Sequence, residues 1–340
     1  MDHGGRFGCF YPSGESTLTE EERRKHPRMP LPHGWLDQSR NFLGLEEPWC
    51  RPDQAGVYII PAPYEHTSSY LTGTREGPTA ILDASRQVEL YDETLGYEPY
   101  REWGGIATAV PVELGARVDR EAVEQIEATL RTHVESGRFV VTLTGEHTGA
   151  LGAIRAHAKR HPDMCVVQVD AHGDLRDAYE GNPYSHASVM ARVVETGLSL
   201  VQVGIRSIST EEIDLIRQTK RIATFFAYHI LDPSGPYQGR ASSWVPDVVK
   251  ACSGPVYLTI DCDGLDCTLI PALGTPEPGG MGWYDIMALA TALANGPGII
   301  GMDVSEIAPI PGFAAPQFTV ARLIYRILGR VLAGRRIKER

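Results

Sequence analysis

The sequence predicts an α/β fold: a single domain built on a mostly parallel β-sheet with helices on both faces. Three observations lead there. Short, nearly continuous apolar runs recur along the chain. They alternate with amphipathic segments of helix length, and no internal repeat, low-complexity tract or clear linker divides the 340 residues. Runs that stay apolar at successive positions suit strands covered on both faces, as in a parallel sheet between two helical layers.

Residues 1–52 are rich in Gly, Pro and charge and lack periodicity, so they read as an extended N-terminal arm with a helical turn near 17–25. The folded domain is expected over 53–334. Its strand candidates are 57–60, 139–143, 165–169, 200–203, 223–226, 256–260 and 299–302. Helix candidates lie at 79–91, 120–136, 149–159, 185–195, 213–220, 283–294 and 317–331. The basic stretch 335–340 reads as a solvated tail.

Composition narrows the function. Apolar residues make up 42% and charged residues 22%, ordinary for a soluble protein with a sizeable core. The net charge of −11 argues against a nucleic-acid partner and suits a small cationic substrate. No apolar run reaches the roughly 18–20 residues that span a bilayer. The first residues lack the basic-then-apolar pattern of a signal peptide. Six scattered cysteines form no C-x-x-C pair, so reduced thiols in a cytoplasm are expected. Cys262, between two aspartates, reads as a small buried residue.

The chemistry gathers where strands stop. The run 139–143 leads to Glu146 and His147, the run 165–169 to Asp170, His172 and Asp174, and the run 256–260 to Asp261 and Asp263. In open α/β sheets, ligands bind at the carboxyl ends of strands because the loops there converge. If 170–174 is extended, Asp170, His172 and Asp174 point to one face, and the same holds for Asp261 and Asp263. Any one of these motifs alone reads as a turn or a cap, and a lone His147 as a satisfied histidine. Their arrival at strand ends in one chain points instead to metal ligands: His147, Asp170, His172, Asp174, Asp261 and Asp263. Four carboxylates balance two divalent cations, and without metal they would repel and raise one another's pKa values.

These motifs resemble those of the ureohydrolases, the arginase and agmatinase family, over roughly residues 55–332. Residues 144–148 (TGEHT) are similar to G-G-[DE]-H-S, 170–174 (DAHGD) to D-A-H-x-D, and 185–188 (SHAS) to S-H-G-[TC]. The stretch 261–280, DCDGLDCTLIPALGTPEPGG, is similar to the long motif D-x-D-x-x-D-P-x-x-x-P-G-x-G-T-P-x-x-G-G. Residues 73–78 (GTREGP) and 302–306 (MDVSE) add two more matches. The departures are Thr144, Glu146, Ala187, Cys267 and Ala272, none of which removes a ligand.

The resemblance implies an arginase-like three-layer sandwich. It implies that His147, Asp170, Asp174 and Asp261 hold one metal while Asp170, His172, Asp261 and Asp263 hold the other. Manganese is the ion it suggests, and nickel fits too. The implied reaction is hydrolysis of a guanidino group to urea and an amine. Two divalent ions can bring the pKa of water from 15.7 toward about 7. Asp263 would accept a hydrogen bond from the nucleophile, Glu306 would pair with the guanidinium, and His186 would pass a proton to the leaving amine. His186 could equally cap the helix that starts near Ser185. Asp266 and Asp303 would orient ligands. Trimers or hexamers are the implied assembly.

For the substrate, Asp177 and Glu180 in the loop before His186 are expected to border the mouth and to favour a cationic tail, as in agmatine. Arg176 in the same loop works against this. Other guanidino compounds remain open, namely guanidine and alkylguanidines, guanidinobutyrate, aminopropylagmatine and arginine. So do a non-catalytic partner subunit on the same fold and a metal-dependent deacetylase on a related one.

Overall fold

The computed structural model describes residues 31–338. Eight strands form one all-parallel sheet: β1 (Val57–Ala62), β2 (Ile106–Thr108), β3 (Phe139–Thr144), β4 (Cys165–Val169), β5 (Ser199–Ile205), β6 (Ile222–Phe226), β7 (Val256–Asp261) and β8 (Ile299–Ser305). Their spatial order is β2-β1-β3-β8-β7-β4-β5-β6. Every residue of β1, β3, β4 and β7 is buried, which is why the sequence shows unbroken apolar runs rather than alternation.

Ten α-helices carry the chain back between strands among the described residues. They are α1 (Gly77–Ser85), α2 (Pro99–Glu102), α3 (Asp119–Glu135), α4 (Thr148–Arg160), α5 (Val189–Glu195), α6 (Thr210–Gln218), α7 (Ala227–Ile230), α8 (Ala241–Ala251), α9 (Trp283–Asn295) and α10 (Ala315–Lys338). Helices α3, α4 and α5 pack on one another, and α1, α10, α9 and α8 form a second connected group. The first group meets alternate residues of β1, Tyr58, Ile60 and Ala62, through Val123, Ile126, Leu130 and Ile154. A single polypeptide body thus has the two-faced sheet that the alternating pattern predicts. No described helix is long and apolar enough to cross a membrane.

The boundaries differ from expectation at both ends. The turn expected near 17–25 lies outside the described residues. Residues 33–52 belong to the main body rather than to an arm. Leu36, Phe42, Leu43, Leu45 and Cys50 are buried there. The Leu36 amide donates to the Thr108 carbonyl at 2.8 Å, and the Ile106 amide donates to the Trp49 carbonyl at 2.9 Å. This segment covers the outer edge of β2, an edge that would otherwise expose unpaired backbone groups. Its apolar residues have neither helical nor strand spacing, so periodicity overlooks them.

At the other end, α10 continues through Lys338, so residues 335–338 are helix rather than loose tail. The Arg335 guanidinium lies over the Trp103 ring, 4.8 Å from its centroid, and Arg336 pairs with Glu102. Four elements were not anticipated: β2, only three residues long, the four-residue helices α2 and α7, and α8, whose internal Pro246 argues against a helix.

Phe42 tests the reassigned segment. Phe42→Ala should cost about 3–5 kcal/mol of stability, as for a core aromatic. An exposed arm would show a change within about 0.5 kcal/mol. Denaturant unfolding of both proteins distinguishes the two.

Candidate active site

Four strands adjacent in the sheet, β3, β8, β7 and β4, deliver the charged cluster from their carboxyl ends. Each end is shaped by close backbone approach. A Cβ on Gly145 would stand 2.1 Å from the Tyr64 carbonyl oxygen, and one on Gly264 would stand 2.5 Å from the Asp170 amide nitrogen. Only glycine permits either contact. After β7 the chain turns at once into a 3-10 helix, Cys262–Gly264. Asp261 and Asp263 are therefore not alternate residues of one strand, as expected, but neighbours across a turn, with the Asp263 amide donating to Asp261 Oδ1 at 3.0 Å. Cys262 is fully buried between them.

His147 Nδ1 lies 2.8 Å from Asp174 Oδ2, 3.2 Å from Asp170 Oδ2 and 3.5 Å from Asp261 Oδ2. His172 Nδ1 lies 3.0 Å from Asp263 Oδ2 and 3.7 Å from Asp170 Oδ1. Two triads have donor atoms close enough to hold an ion: His147, Asp170 and Asp261, and Asp170, His172 and Asp263. Asp170 belongs to both. Asp174 stands against His147 outside the first triad, and Asp261 is not in the second, so the geometry is tighter than the division of ligands implied by resemblance. All six residues nevertheless converge.

Burial shapes their protonation. It raises Asp170 to about 7, with Asp174 and Asp263 adding repulsion, and it pushes Asp261 well above the usual carboxylate range. Burial opposes charge on His172, but the Asp263 carboxylate overrides it and lifts the imidazole to about 10. In return, and against its own burial, Asp263 is held down to about 2 by His172. Carboxylate oxygens and imidazole nitrogens crowded in this way form a donor set that fits divalent cations.

Neighbours fix the orientation of the ligands. Gln168 Nε2 donates to Asp170 Oδ2 at 2.7 Å, and the His172 amide donates to Asp170 Oδ1 at 2.6 Å. Thr259 donates its hydroxyl hydrogen to Asp303 Oδ1 at 2.9 Å, so towards His147 Nε2, also at 2.9 Å, it acts as acceptor. His147 therefore carries a hydrogen on Nε2, which leaves Nδ1 as the ring atom that faces the cluster carboxylates. Asp303 orients a ligand, as expected, through Thr259. Asp266 does not. It accepts from Thr268 and from the Gly279 and Gly280 amides, pinning the 275–280 loop instead. Gln168 and Thr259 were not singled out from sequence, though a polar residue inside a buried apolar run was the available signal.

Glu306 follows β8 with a left-handed backbone, φ 67°, uncommon for a residue with a side chain. Its amide donates to the Gly145 carbonyl and its Oε1 accepts from the His147 amide at 2.6 Å. Burial and then Glu146 raise its pKa well above the normal range. A cavity of about 270 Å³ opens beside the cluster, lined by His172, Asp174, Arg176, Tyr179, His186 and Thr275 among others. His186 lies on the wall of this cavity.

Asp177 and Glu180 do not line it. The Asp177 side chain is 96% exposed and pairs with Arg192 at 2.8 Å, and Glu180 is exposed on a left-handed turn. Arg176 and Tyr179, alternate with those acids, face the cavity instead, with the guanidinium 5.4 Å from the ring centroid.

Residues 55–329 match the arginase family. The chain belongs to that family. It is 38% identical over 307 residues to an N(1)-aminopropylagmatine ureohydrolase of Synechocystis, covering 88% of this chain and 97% of that one. It is 30% identical to an agmatinase of Bacillus anthracis, covering 76% and 85%. The crystal structure of an agmatine ureohydrolase of Thermoplasma volcanium superposes with a TM-score of 0.72 at 27% identity, covering 84% and 92%. The protein is accordingly an arginase-family ureohydrolase acting on a guanidino group.

The pKa shifts predict a stability profile for chelator-treated protein. His172 is raised from 6.5 to about 10, so its stabilising contribution is whole below about pH 6.5 and lost as pH rises toward 10. Asp170, raised to about 7, likewise favours the fold at lower pH. The melting temperature should fall between pH 7 and 9.5. Added manganese should stabilise most at the upper end, because ligands bind as deprotonated groups. A melting temperature that rises with pH over this range in chelator would contradict the assignment.

Proposed function

We propose that this ureohydrolase cleaves N(1)-aminopropylagmatine, releasing urea and a linear triamine, with two divalent ions held by the six ligands. The observation that carries the chemistry is the pair of triads sharing Asp170 beside the buried Glu306. Manganese is the first choice for so oxygen-rich a donor set, nickel the second. When bound, two such ions supply acidification of water and neutralisation of the carboxylates.

The chain's own residues do the rest. Glu306 offers its carboxylate to the guanidinium, a charge-assisted pairing suited to a planar cation. Its Oε1 is already fixed by the His147 amide, so it is oriented before substrate arrives. Asp263, held ionised by His172, is the acceptor for a proton on the attacking water. His186, at the cavity wall, gives a proton to the departing amine.

Relatives named N(1)-aminopropylagmatine ureohydrolase support the tail, since the matches span 88% and 82% of this chain and 97% and 90% of theirs. Agmatine, the earlier expectation, is the shorter substrate of the same series. One observation favours a second reading, a guanidino acid such as guanidinobutyrate. Arg176 lines the cavity and makes no ion pair among the described residues, whereas Asp177 and Glu180 lie outside the lining.

A panel of N(1)-aminopropylagmatine, agmatine, guanidinobutyrate, arginine and guanidine, read by urea release with manganese- and nickel-loaded enzyme, tests the proposal. The highest kcat/KM is expected for N(1)-aminopropylagmatine. Preference for guanidinobutyrate would overturn the cationic-tail reading, and no urea from any of them would indicate a binding role. Glu306→Gln should lower kcat/KM by about 10²–10³-fold, as loss of a buried charge partner does.

A further inference from the structure

Glu146 is fully buried next to His147, yet it turns away from the ligand cluster. Its Oε2 accepts from the His66 and Thr67 amides, both at 2.7 Å. Its Oε1 accepts from the hydroxyls of Thr67, at 2.8 Å, and Thr148, at 2.7 Å. The backbone bonds alone would anchor the loop that carries residues 65–69. The Thr67 hydroxyl does something more.

That hydroxyl has one hydrogen, and with a carboxylate oxygen 2.8 Å away the hydrogen goes there. Toward any other group Thr67 Oγ1 can only accept. It receives the His186 amide at 3.1 Å and lies 3.1 Å from His186 Nδ1. His186 must then carry a hydrogen on Nδ1 and direct Nε2, beside Ser69 Oγ at 3.4 Å, toward the cavity. Tyr179 stands edge-on to the ring with centroids 5.8 Å apart, limiting its rotation. The remaining ionisable groups on this cavity's walls are His172, Asp174, Arg176 and Glu212, the last tied to the Leu175 and Ser209 amides.

We propose that Glu146 and Thr67 form a positioning relay for His186, fixing the tautomer and orientation of its ring through a carboxylate one hydroxyl away. The inference rests on the reading that His186 protonates the leaving amine. In that step the carbon–nitrogen bond breaks with its electron pair passing to the amine nitrogen. The nitrogen takes the Nε2 proton, leaving a neutral ring still bonded through Nδ1–H to Thr67. The proton released when water adds to the guanidino carbon restores the ring, so one water is consumed and no net proton is taken up by the enzyme. The relay resembles in logic a carboxylate holding a catalytic histidine, with a hydroxyl interposed.

Thr67→Val tests the relay, because it is close to isosteric and keeps both backbone donors to Glu146. With the most rapidly hydrolysed guanidino compound of the panel, kcat should fall by about 10–100-fold while KM stays within about threefold. Thr67→Ser, which keeps the hydroxyl, should return kcat to near wild type. A kcat within about twofold of wild type in Thr67→Val, alongside a loss of more than about 100-fold in His186→Ala, would overturn the relay and leave the role of His186 standing. An unchanged kcat in His186→Ala would overturn both.

Discussion

Four aspartates and two histidines, all buried except the partly exposed His172, meet at the ends of adjacent strands, and Asp170 stands between both histidines. Burial and the neighbouring Asp174 and Asp263 lift its pKa to about 7, so the cluster in isolation disfavours its own ionised form. The structure offsets this with hydrogen bonds rather than with opposing lysines or arginines. Gln168 and the His172 amide donate to Asp170, and Gln202 in turn donates to Gln168 at 2.7 Å. A second chain of bonds, His147 to Thr259 to Asp303, crosses from β7 to β8. Polar side chains enter the sheet interior at these points, where an unpaired group would cost about 1–3 kcal/mol. Two divalent ions held by the proposed ligands would complete the charge balance.

Several acids outside the cluster share a different task. Glu146, Glu212, Glu65 and Asp266 each accept two or more backbone amides from loops around the mouth, among them those of Thr67, Leu175, Gly73 and Gly280. Part of the negative charge seen in the sequence is thus spent inside, on holding loops in place, rather than on attracting a cationic substrate. The ligands themselves sit at or within five residues of the carboxyl ends of β3, β4 and β7. The wall residues sit on loops, which suits a common reaction with variable tails.

Seven of the eight strands were legible because each carries a mostly apolar run, buried at every residue in β1, β3, β4 and β7 and only partly in the edge strand β6. The ligands were legible because each follows such a run directly. What was missed has physical reasons. Strand β2 is three residues long, and Pro246 disguises α8. Residues 33–52 pack without periodicity, so Phe42 and Leu43 gave no signal. The 3-10 turn after Asp261 defeated an argument from strand alternation. Asp177 and Glu180 were assigned to the mouth from their loop alone. Side-chain direction put Arg176 and Tyr179 there instead, and an Arg192 partner drew Asp177 outward.

In the proposed two-ion centre Asp170 serves both ions at once, since it belongs to both triads. Equilibrium dialysis against manganese, with metal counted per chain, tests it most directly. Wild-type protein should bind two ions, and Asp170→Asn should lose affinity for both while remaining folded. Retention of one ion at wild-type affinity in Asp170→Asn would contradict the shared ligand, and with it the two-ion centre derived from these strand ends.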